Sequence, residues 1–442
     1  MAKPIYISKI IKKFKKKIKV NGDKSLSIRW ALMASQAIGK SRAYNLLKSE
    51  DVLSTLNCLK KLGIKIAFKN KYCEIKGNGI NSFIYKNNLT ISAGNSGTLG
   101  RLILALLIKS PKKIKLIGDK SLSKRDFARV IDPLKKFGAI FYPKNKNTLP
   151  IYIKGSDFIR PINYFESKGS AQCKSSVMLA ALNAPGKTII KAKKSRNHTE
   201  ILFKNLKIPI KVKKTKNFDF IEIVGNQNFK SFNYNIPSDI SSSAFFIVLT
   251  LLSKKSSLII ENVNVNPSRI GIIRILNKMG ANIIFKNKKI YKGEPIADIF
   301  VKSSILLKPI NCPEQLNSSA IDEFLLIFLI AAKSKGVSYF KNLSELNQKE
   351  SPRLKLGSKI LNMIGIKTKL TNHSIKIYGQ PNLKPKKNYE VKNYLKDHRI
   401  FMMTTIMALT FGGNWKIYDP DSIKTSFPSF LKIVKSLGGK IK

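Results

Sequence analysis

Eleven arginines stand among 71 lysines in this 442-residue sequence, and that scarcity makes the setting of each arginine informative. A planar guanidinium offers a forked pair of donors to a carboxylate or phosphate that a lysine ammonium cannot copy. Arg29 closes the segment Gly22-Asp23-Lys24-Ser25-Leu26-Ser27-Ile28-Arg29, which leads into a helical run at residues 30–38. A loop entering a helix N-terminus presents free backbone N–H groups, here with a hydroxyl and two cations, and this combination suits a phosphate. The same design recurs in Gly94-Asn95-Ser96-Gly97-Thr98-Leu99-Gly100-Arg101, where glycines admit close backbone approach before the apolar residues 102–108. The Gly-Lys-Ser/Thr ending of a nucleotide-triphosphate loop is missing, which disfavours nucleotide hydrolysis.

Three further segments of the first half are polar and cationic in the same way: Ser121-Leu122-Ser123-Lys124-Arg125, Ser170-Ala171-Gln172-Cys173-Lys174-Ser175 and Ser195-Arg196-Asn197-His198-Thr199-Glu200. Taken singly, each reads equally well as an ordinary helix cap. In the second half, Asp322 and Glu323 precede an apolar helix, Lys349-Glu350-Ser351-Pro352-Arg353 sets an acid between two cations, and Asp397-His398-Arg399 opens another helical run. An acid among cations is usually ion-paired scaffolding and becomes a proton carrier only where a substrate shares its space.

The elements that must position these residues repeat along the chain. An amphipathic helix ending on apolar-x-x-apolar-Gly, followed by an alternating strand, occurs around Gly63, Gly138, Gly280, Gly365 and Gly438, with a degenerate copy at residues 203–212 that carries Lys207 in place of glycine. Glycine closes a helix in the left-handed conformation without steric cost, and the following alternation turns one strand face inward. Six such units, 69 to 85 residues apart, imply an α/β repeat architecture in two similar halves that divide near residue 240. The expected domains are residues 22–239, and residues 1–21 together with 240–442. Their interface is where a cleft is expected.

The net charge of +57 at first suggests a nucleic-acid or membrane-surface protein. The lysines, however, are spread over the whole length, which fits solvated surface better than a built patch. The basic stretch at 9–19 interleaves Ile10, Ile11, Phe14 and Ile18 and reads as a half-buried strand. Four scattered cysteines read as reduced structural thiols, and neither they nor the three histidines have metal-ligand spacing, so no cofactor or metal is expected. The apolar runs at 244–252 and 324–332 are half of a membrane span and read as buried helices. With no signal-peptide pattern at the start, the expected location is cytoplasmic.

In order, these segments resemble the 3-phosphoshikimate 1-carboxyvinyltransferase family over residues 20–430. The resemblance also takes in Asp239-Ile240-Ser241-Ser242, Asn266-Pro267-Ser268-Arg269 and Ser426-Phe427-Pro428. It implies the enolpyruvyl transferase fold, an inverse α/β barrel of two globular domains, each of three α/β units, with the site in the interdomain cleft and the first strand joined to the C-terminal half. It implies transfer of the enolpyruvyl group of phosphoenolpyruvate to the 5-hydroxyl of shikimate 3-phosphate, with loss of phosphate. Matched by motif, Lys24, Asn95, Gly97, Arg125, Gln172, Arg353 and Arg399 would hold phosphoenolpyruvate. Lys24, Ser25, Arg29, Ser170, Ala171, Gln172, Ser195, Asp322 and Lys349 would hold shikimate 3-phosphate. Asp322, Glu350 and Lys24 would move protons. The resemblance further implies a monomer inhibited by glyphosate, with no nucleic-acid or membrane partner.

The chain departs from the family pattern at Asp126, Ser238, Leu325, Asn347, Gln348 and Pro352, and Pro352 is expected to bend the loop that aims Glu350 and Arg353. Two alternatives stand beside this reading: the same fold acting on a UDP-amino sugar, and a polyanion binder with a vestigial enzyme fold. Against the first, no cysteine occurs from Glu74 to Gln172, where the sugar enzyme carries its loop cysteine.

Overall fold

The structure, a computed structural model, describes residues 3–304 and 307–442. The chain forms two compact units, one of Gly22–Ile236 with Lys292–Glu294, the other of Met1–Asn21, Pro237–Tyr291 and Pro295–Lys442. The division after Ile236 compares with the sequence expectation of residue 239, and the separate placement of Lys292–Glu294 has no counterpart in the sequence pattern.

In the unit beginning at Gly22 the helices are α1 (Lys24–Gln36), α2 (Glu50–Lys61), α3 (Gly97–Leu106), α4 (Ala128–Phe137), α5 (Ala171–Ala181) and α6 (His198–Asn205). The other unit holds α7 (Ile240–Leu252), α8 (Gly271–Lys278), α9 (Asn317–Ala320), α10 (Phe324–Lys333), α11 (Arg353–Met363), α12 (His398–Phe411) and α13 (Phe430–Ser436). Among the described residues, six small sheets accompany them. In the sheet of the second repeat, Leu89–Ser92 pairs parallel with Ile114–Ile117, which pairs antiparallel with Ile151–Lys154, which in turn carries Ile140–Tyr142 antiparallel. The same order, a parallel pair followed by an antiparallel hairpin, recurs in the sheets of the first and third repeats. The fourth repeat follows it too, with Lys15–Ile18 as the parallel partner of Ser257–Asn264. In the last, Ile5–Ile7 pairs antiparallel with Asn414–Ile417, beside the parallel strand Asn388–Val391. This is the architecture implied by the repeat: strands such as Lys187–Lys193 alternate buried and exposed residues, while the central helices are buried on nearly every side, the polar residues of α1 and α5 included.

Those central helices are α1, α3 and α5 in one unit and α7, α10 and α12 in the other, packed on one another inside their sheets. The apolar runs at 244–252 and 324–332 lie in α7 and α10, where every residue from Phe324 to Ala332 is buried. Among the described residues no helix is long and apolar enough to cross a membrane. The basic N-terminal stretch forms a strand only at Lys15–Ile18; Ile11 and Phe14 are buried but Ile10 is 52% exposed, so the alternation there is broken before the strand begins. All four cysteines are free and buried, and burial pushes the Cys58 thiol up to about 12.

The closing turns follow the sequence pattern closely. Gly63, Gly138, Gly280, Gly365 and Gly438 all have positive φ, and Lys207, in the degenerate copy, adopts φ 57°. An L-residue there carries a steric cost that glycine avoids. Gly138→Ala should therefore lower the unfolding free energy by about 1–2 kcal/mol, whereas Lys207→Gly should hold it or raise it by up to about 1 kcal/mol. Urea unfolding of the two variants checks this; equal losses would separate Lys207 from the glycine turns.

Candidate active site

The helix starts differ from the sequence expectation in a way that matters for chemistry. The first helix begins at Lys24 rather than Trp30, because the Asp23 side chain accepts the N–H of Leu26 at 2.9 Å and caps it. Lys24 and Ser25 thus sit in the first turn, and Arg29 lies one turn on, donating to the Ser25 carbonyl at 3.3 Å. Ser96 caps α3, with Gly97 as its first residue, and Ser170 caps α5, with Ala171 and Gln172 opening it. Asp397 caps α12 by accepting the Arg399 N–H at 2.9 Å.

Within the first unit, one group gathers at the starts of α3 and α5. The Gln172 side chain accepts from Arg101 Nη1 at 2.8 Å and donates to Thr98 Oγ1 at 3.0 Å. Arg101 also donates to the Asp126 carbonyl and lies over the Phe127 ring, so the family departure at Asp126 leaves a backbone contact intact. A Cβ on Gly97 would stand 2.9 Å from Arg101 Nη1 and 3.1 Å from Arg125 Nη1, which places two guanidinium groups against the glycine. Asn95 donates to Asp119 at 2.5 Å. A second group is buried: Arg29, 5% exposed, donates to Thr199 Oγ1 at 2.9 Å and Ser175 Oγ at 3.0 Å, while Lys174 and Glu200 pair at 2.6 Å beside them. This network ties α1, α5 and α6 together. Ser195, just before α6, has a buried hydroxyl oxygen with no hydrogen-bond partner among the described residues. Lys24 pairs with Asp51 at 2.9 Å at the start of α1.

In the second unit all five residues picked from the sequence meet in one cluster. Asp322 Oδ1 lies 3.2 Å from Lys349 Nζ and 3.6 Å from Arg353 Nη1, and the Asp322 carbonyl accepts from Arg399 at 2.8 Å. Glu350 hydrogen-bonds to Arg353. Asp397, fully buried, takes Arg353 Nε at 2.8 Å and Nη2 at 3.2 Å. Burial opposes the Arg353 charge, but Asp397, Glu350 and Asp322 outweigh it and hold the guanidinium firmly protonated. Burial likewise opposes the Asp397 carboxylate, and Arg353 with His398 more than offsets this, so its pKa falls below the ordinary aspartate value. Pro352 does not disorder this loop: it precedes α11 at φ −72°, Arg353 is the first helical residue, and Ser351 donates to Asp397 at 2.8 Å. Behind it, Ser241 donates to Glu323 at 2.5 Å and Arg269 to Ser241 at 3.0 Å, and Glu323 lies 3.7 Å from Arg399.

Sequence reasoning assigned no role to Asp51, Asp119, Asp397, Glu323 or Arg269. Asp397, Arg269 and Glu323 were visible as members of motifs, but the partners they hold lie dozens of positions away, and spacing carries no signal for such pairs. Among the described residues, no three His, Cys, Asp or Glu side chains are grouped as a metal site. What the two clusters offer is dense cationic and N–H coordination for anions, with carboxylates set among the cations.

Asp397→Asn should lower the unfolding free energy at neutral pH by about 3–5 kcal/mol, since it removes the charge of the one fully buried carboxylate among the three that hold the buried Arg353 guanidinium. Because the folded-state pKa is depressed, the Asp397 contribution is present above the unfolded aspartate value and lost as pH falls through the folded one. The gap between wild type and variant should therefore narrow only on strong acidification. Urea titrations over a pH series measure it; a pH-independent gap would rule out the charge pairing as its cause.

Comparison with known proteins completes the description. The EPSP synthase (3-phosphoshikimate 1-carboxyvinyltransferase) family model matches residues 8–434. A 3-phosphoshikimate 1-carboxyvinyltransferase from Ruthia magnifica subsp. Calyptogena magnifica is 40% identical over 426 residues, covering 96% of this chain and 95% of its own. Another, from Caldicellulosiruptor saccharolyticus, is 37% identical over 433 residues, covering 97% and 98%. A solved EPSP synthase from Acinetobacter baumannii superposes with TM-score 0.87 at 34% identity, over 100% of this chain and 99% of that one. The enolpyruvyl transferase NikO from Streptomyces tendae, at 13% identity and TM-score 0.75 over 100% and 99% of the two chains, shares the fold.

Proposed function

The chain belongs to the EPSP synthase (3-phosphoshikimate 1-carboxyvinyltransferase) family, and from that membership we propose how its own residues move the carboxyvinyl group of phosphoenolpyruvate onto shikimate 3-phosphate, a step of aromatic amino-acid biosynthesis. The observation that carries the reading is the Arg353 guanidinium held by Asp322, Glu350 and Asp397, which sets three carboxylates of different surroundings about one fixed cation.

Both substrates carry a phosphate and a carboxylate, so they repel one another, and a protein that joins them must supply positive charge already in place. Lys24, Asn95, Gly97, Arg125, Gln172, Arg353 and Arg399 take phosphoenolpyruvate on this reading. Lys24, Ser25, Arg29, Ser170, Ala171, Gln172, Ser195, Asp322 and Lys349 take shikimate 3-phosphate. The open Ser195 hydroxyl and the first-turn N–H groups of α1 and α5 support the second set. Arg29 acts partly through the buried network that fixes Ser175 and Thr199.

The reaction is an addition followed by an elimination. Asp322 accepts the proton of the 5-hydroxyl as that oxygen forms a bond to C2 of phosphoenolpyruvate, and Glu350 gives a proton to C3, making a tetrahedral adduct with a methyl group. A proton then leaves the methyl carbon, the C2–O bond to phosphate breaks, and inorganic phosphate departs as the double bond reforms. Lys24, paired with Asp51, is a further proton carrier in this scheme. The two units correspond to the two globular domains of the family, and the chain works as a monomer in the cytoplasm without cofactor, metal, nucleic-acid or membrane partner. The spread of its lysines, rather than a built patch, argues against the polyanion reading.

Phosphate release measured with each substrate alone and with both tests the proposal. Release should need phosphoenolpyruvate and shikimate 3-phosphate together; release with a UDP-amino sugar in place of the latter would overturn it. Because the lack of a side chain at Gly97 lets the Arg101 and Arg125 guanidinium groups lie against the backbone, where a Cβ would stand 2.9 and 3.1 Å from them, glyphosate should compete with phosphoenolpyruvate, raising its apparent KM with unchanged kcat. Undiminished turnover at saturating glyphosate would remove that part of the reading.

A further inference from the structure

The loop that enters α5 ends on Ser170, with Ala171 and Gln172 in the helix's first turn, yet Ser167 and Lys168 in that loop are exposed. Something must fix its backbone for those three residues to meet a ligand in one arrangement. That something is Glu166, the last residue of the strand Asn163–Glu166, whose side chain turns back under the loop and is 2% exposed. Glu166 Oε1 accepts the Lys168 N–H at 3.1 Å and Oε2 the Gly169 N–H at 2.7 Å. The Ser170 N–H also favours its ionised form. Two successive backbone N–H groups thus bond to one carboxylate, an arrangement of the kind that elsewhere binds a free anion. Gly169 supplies the left-handed turn this requires, at φ 71°.

We propose that Glu166 is a positioning residue for shikimate 3-phosphate: its carboxylate fills the backbone nest of residues 168–170 and so sets the loop from which Ser170 and Ala171 meet that substrate. The inference rests on the substrate reading above and adds to it a residue that touches no substrate. The consequences of the geometry are specific. The strand on which Glu166 sits pairs parallel with Lys187–Lys193, so the carboxylate is anchored to the sheet while the loop it holds leads into the central helix α5. Ser170 can then cap α5 by accepting the Cys173 N–H at 3.3 Å. Gln172 is held separately by Arg101 and Thr98, so loss of Glu166 loosens the residues before Gln172 more than Gln172 itself. Burial raises the Glu166 pKa above the ordinary glutamate value, and the backbone N–H groups of residues 168–170 with Lys174 work against that rise.

The test is saturation kinetics for each substrate with Glu166→Ala and Glu166→Gln, together with thermal unfolding of both. Glu166→Ala should raise the KM for shikimate 3-phosphate about tenfold while kcat and the KM for phosphoenolpyruvate change less than about threefold. Glu166→Gln keeps the size of the side chain and one acceptor oxygen, so it should fold as wild type and lie between wild type and alanine in that one KM. A loss of kcat with both KM values unchanged, the signature of a smaller folded fraction, would overturn the proposal, as would a glutamine variant with wild-type KM for both substrates. The wild-type control keeps the two readings apart: its failure to turn over shikimate 3-phosphate would reject the substrate, whatever the variants do.

Discussion

The first turn of an α-helix has backbone N–H groups with no partner inside the helix, and they must be met by side chains, water or ligand. This structure organises its chemistry around that requirement. Asp23, Ser96, Ser170 and Asp397 each give a side-chain oxygen to one N–H of the helix that follows. The remaining donors, and the positive end of the helix dipole, stay directed toward whatever lies ahead of the helix. Lys24, Ser25, Gly97, Ala171, Gln172, Arg353 and Arg399 all lie in first turns. The repeat explains why there are several such turns: each α/β unit contributes a central helix wrapped by its own small sheet.

The cap residues do double duty where they are charged. Asp397 closes α12 and also neutralises Arg353 at the start of α11, joining two helix starts through one buried carboxylate. On the other unit, Arg29, Thr199, Ser175, Lys174 and Glu200 join three helices through polar side chains. Burying so many polar groups is costly unless every partner is present, so these networks hold one arrangement rather than several. Glu166 extends the same logic to a loop, because a carboxylate filling a backbone nest is a cap applied to a turn.

Much of this was legible in the sequence, for reasons that differ by element. The sixfold repeat could be read because a left-handed closing turn selects glycine, and even the Lys207 copy kept its place in the pattern and its positive φ. The apolar helices α7 and α10 could be read because burial on every side leaves no polar stripe. The start of α1 was misplaced by six residues, since Lys24-Ser25-Leu26-Ser27 looks like a polar loop until Asp23 is known to cap it. The arginines stood out by their rarity. The pairing of Asp51 with Lys24 and of Asp397 with Arg353 did not, because an ion pair across 27 or 44 residues depends on how separate elements pack, which no local pattern encodes.

The same distinction resolves the charge. A net +57 could have signalled a polyanion partner, but charge acts on a distant partner only where it is focused. On and beside the sheets some lysines lie along aromatic side chains: Lys191 is 4.8 Å from the Phe218 ring centroid and 5.3 Å from that of Phe165, and Lys113 is 4.6 Å from that of Tyr152. Such residues cover exposed aromatic surface with their methylene stems and keep the ammonium in water. The cations that differ are those opposed by buried carboxylates, Arg353 by Asp397 and Lys174 by Glu200. A cation held in this way cannot rearrange around a passing ion, and it is fixed before a substrate arrives. Preorganisation of that kind, rather than the size of the total charge, is what joining two anions demands.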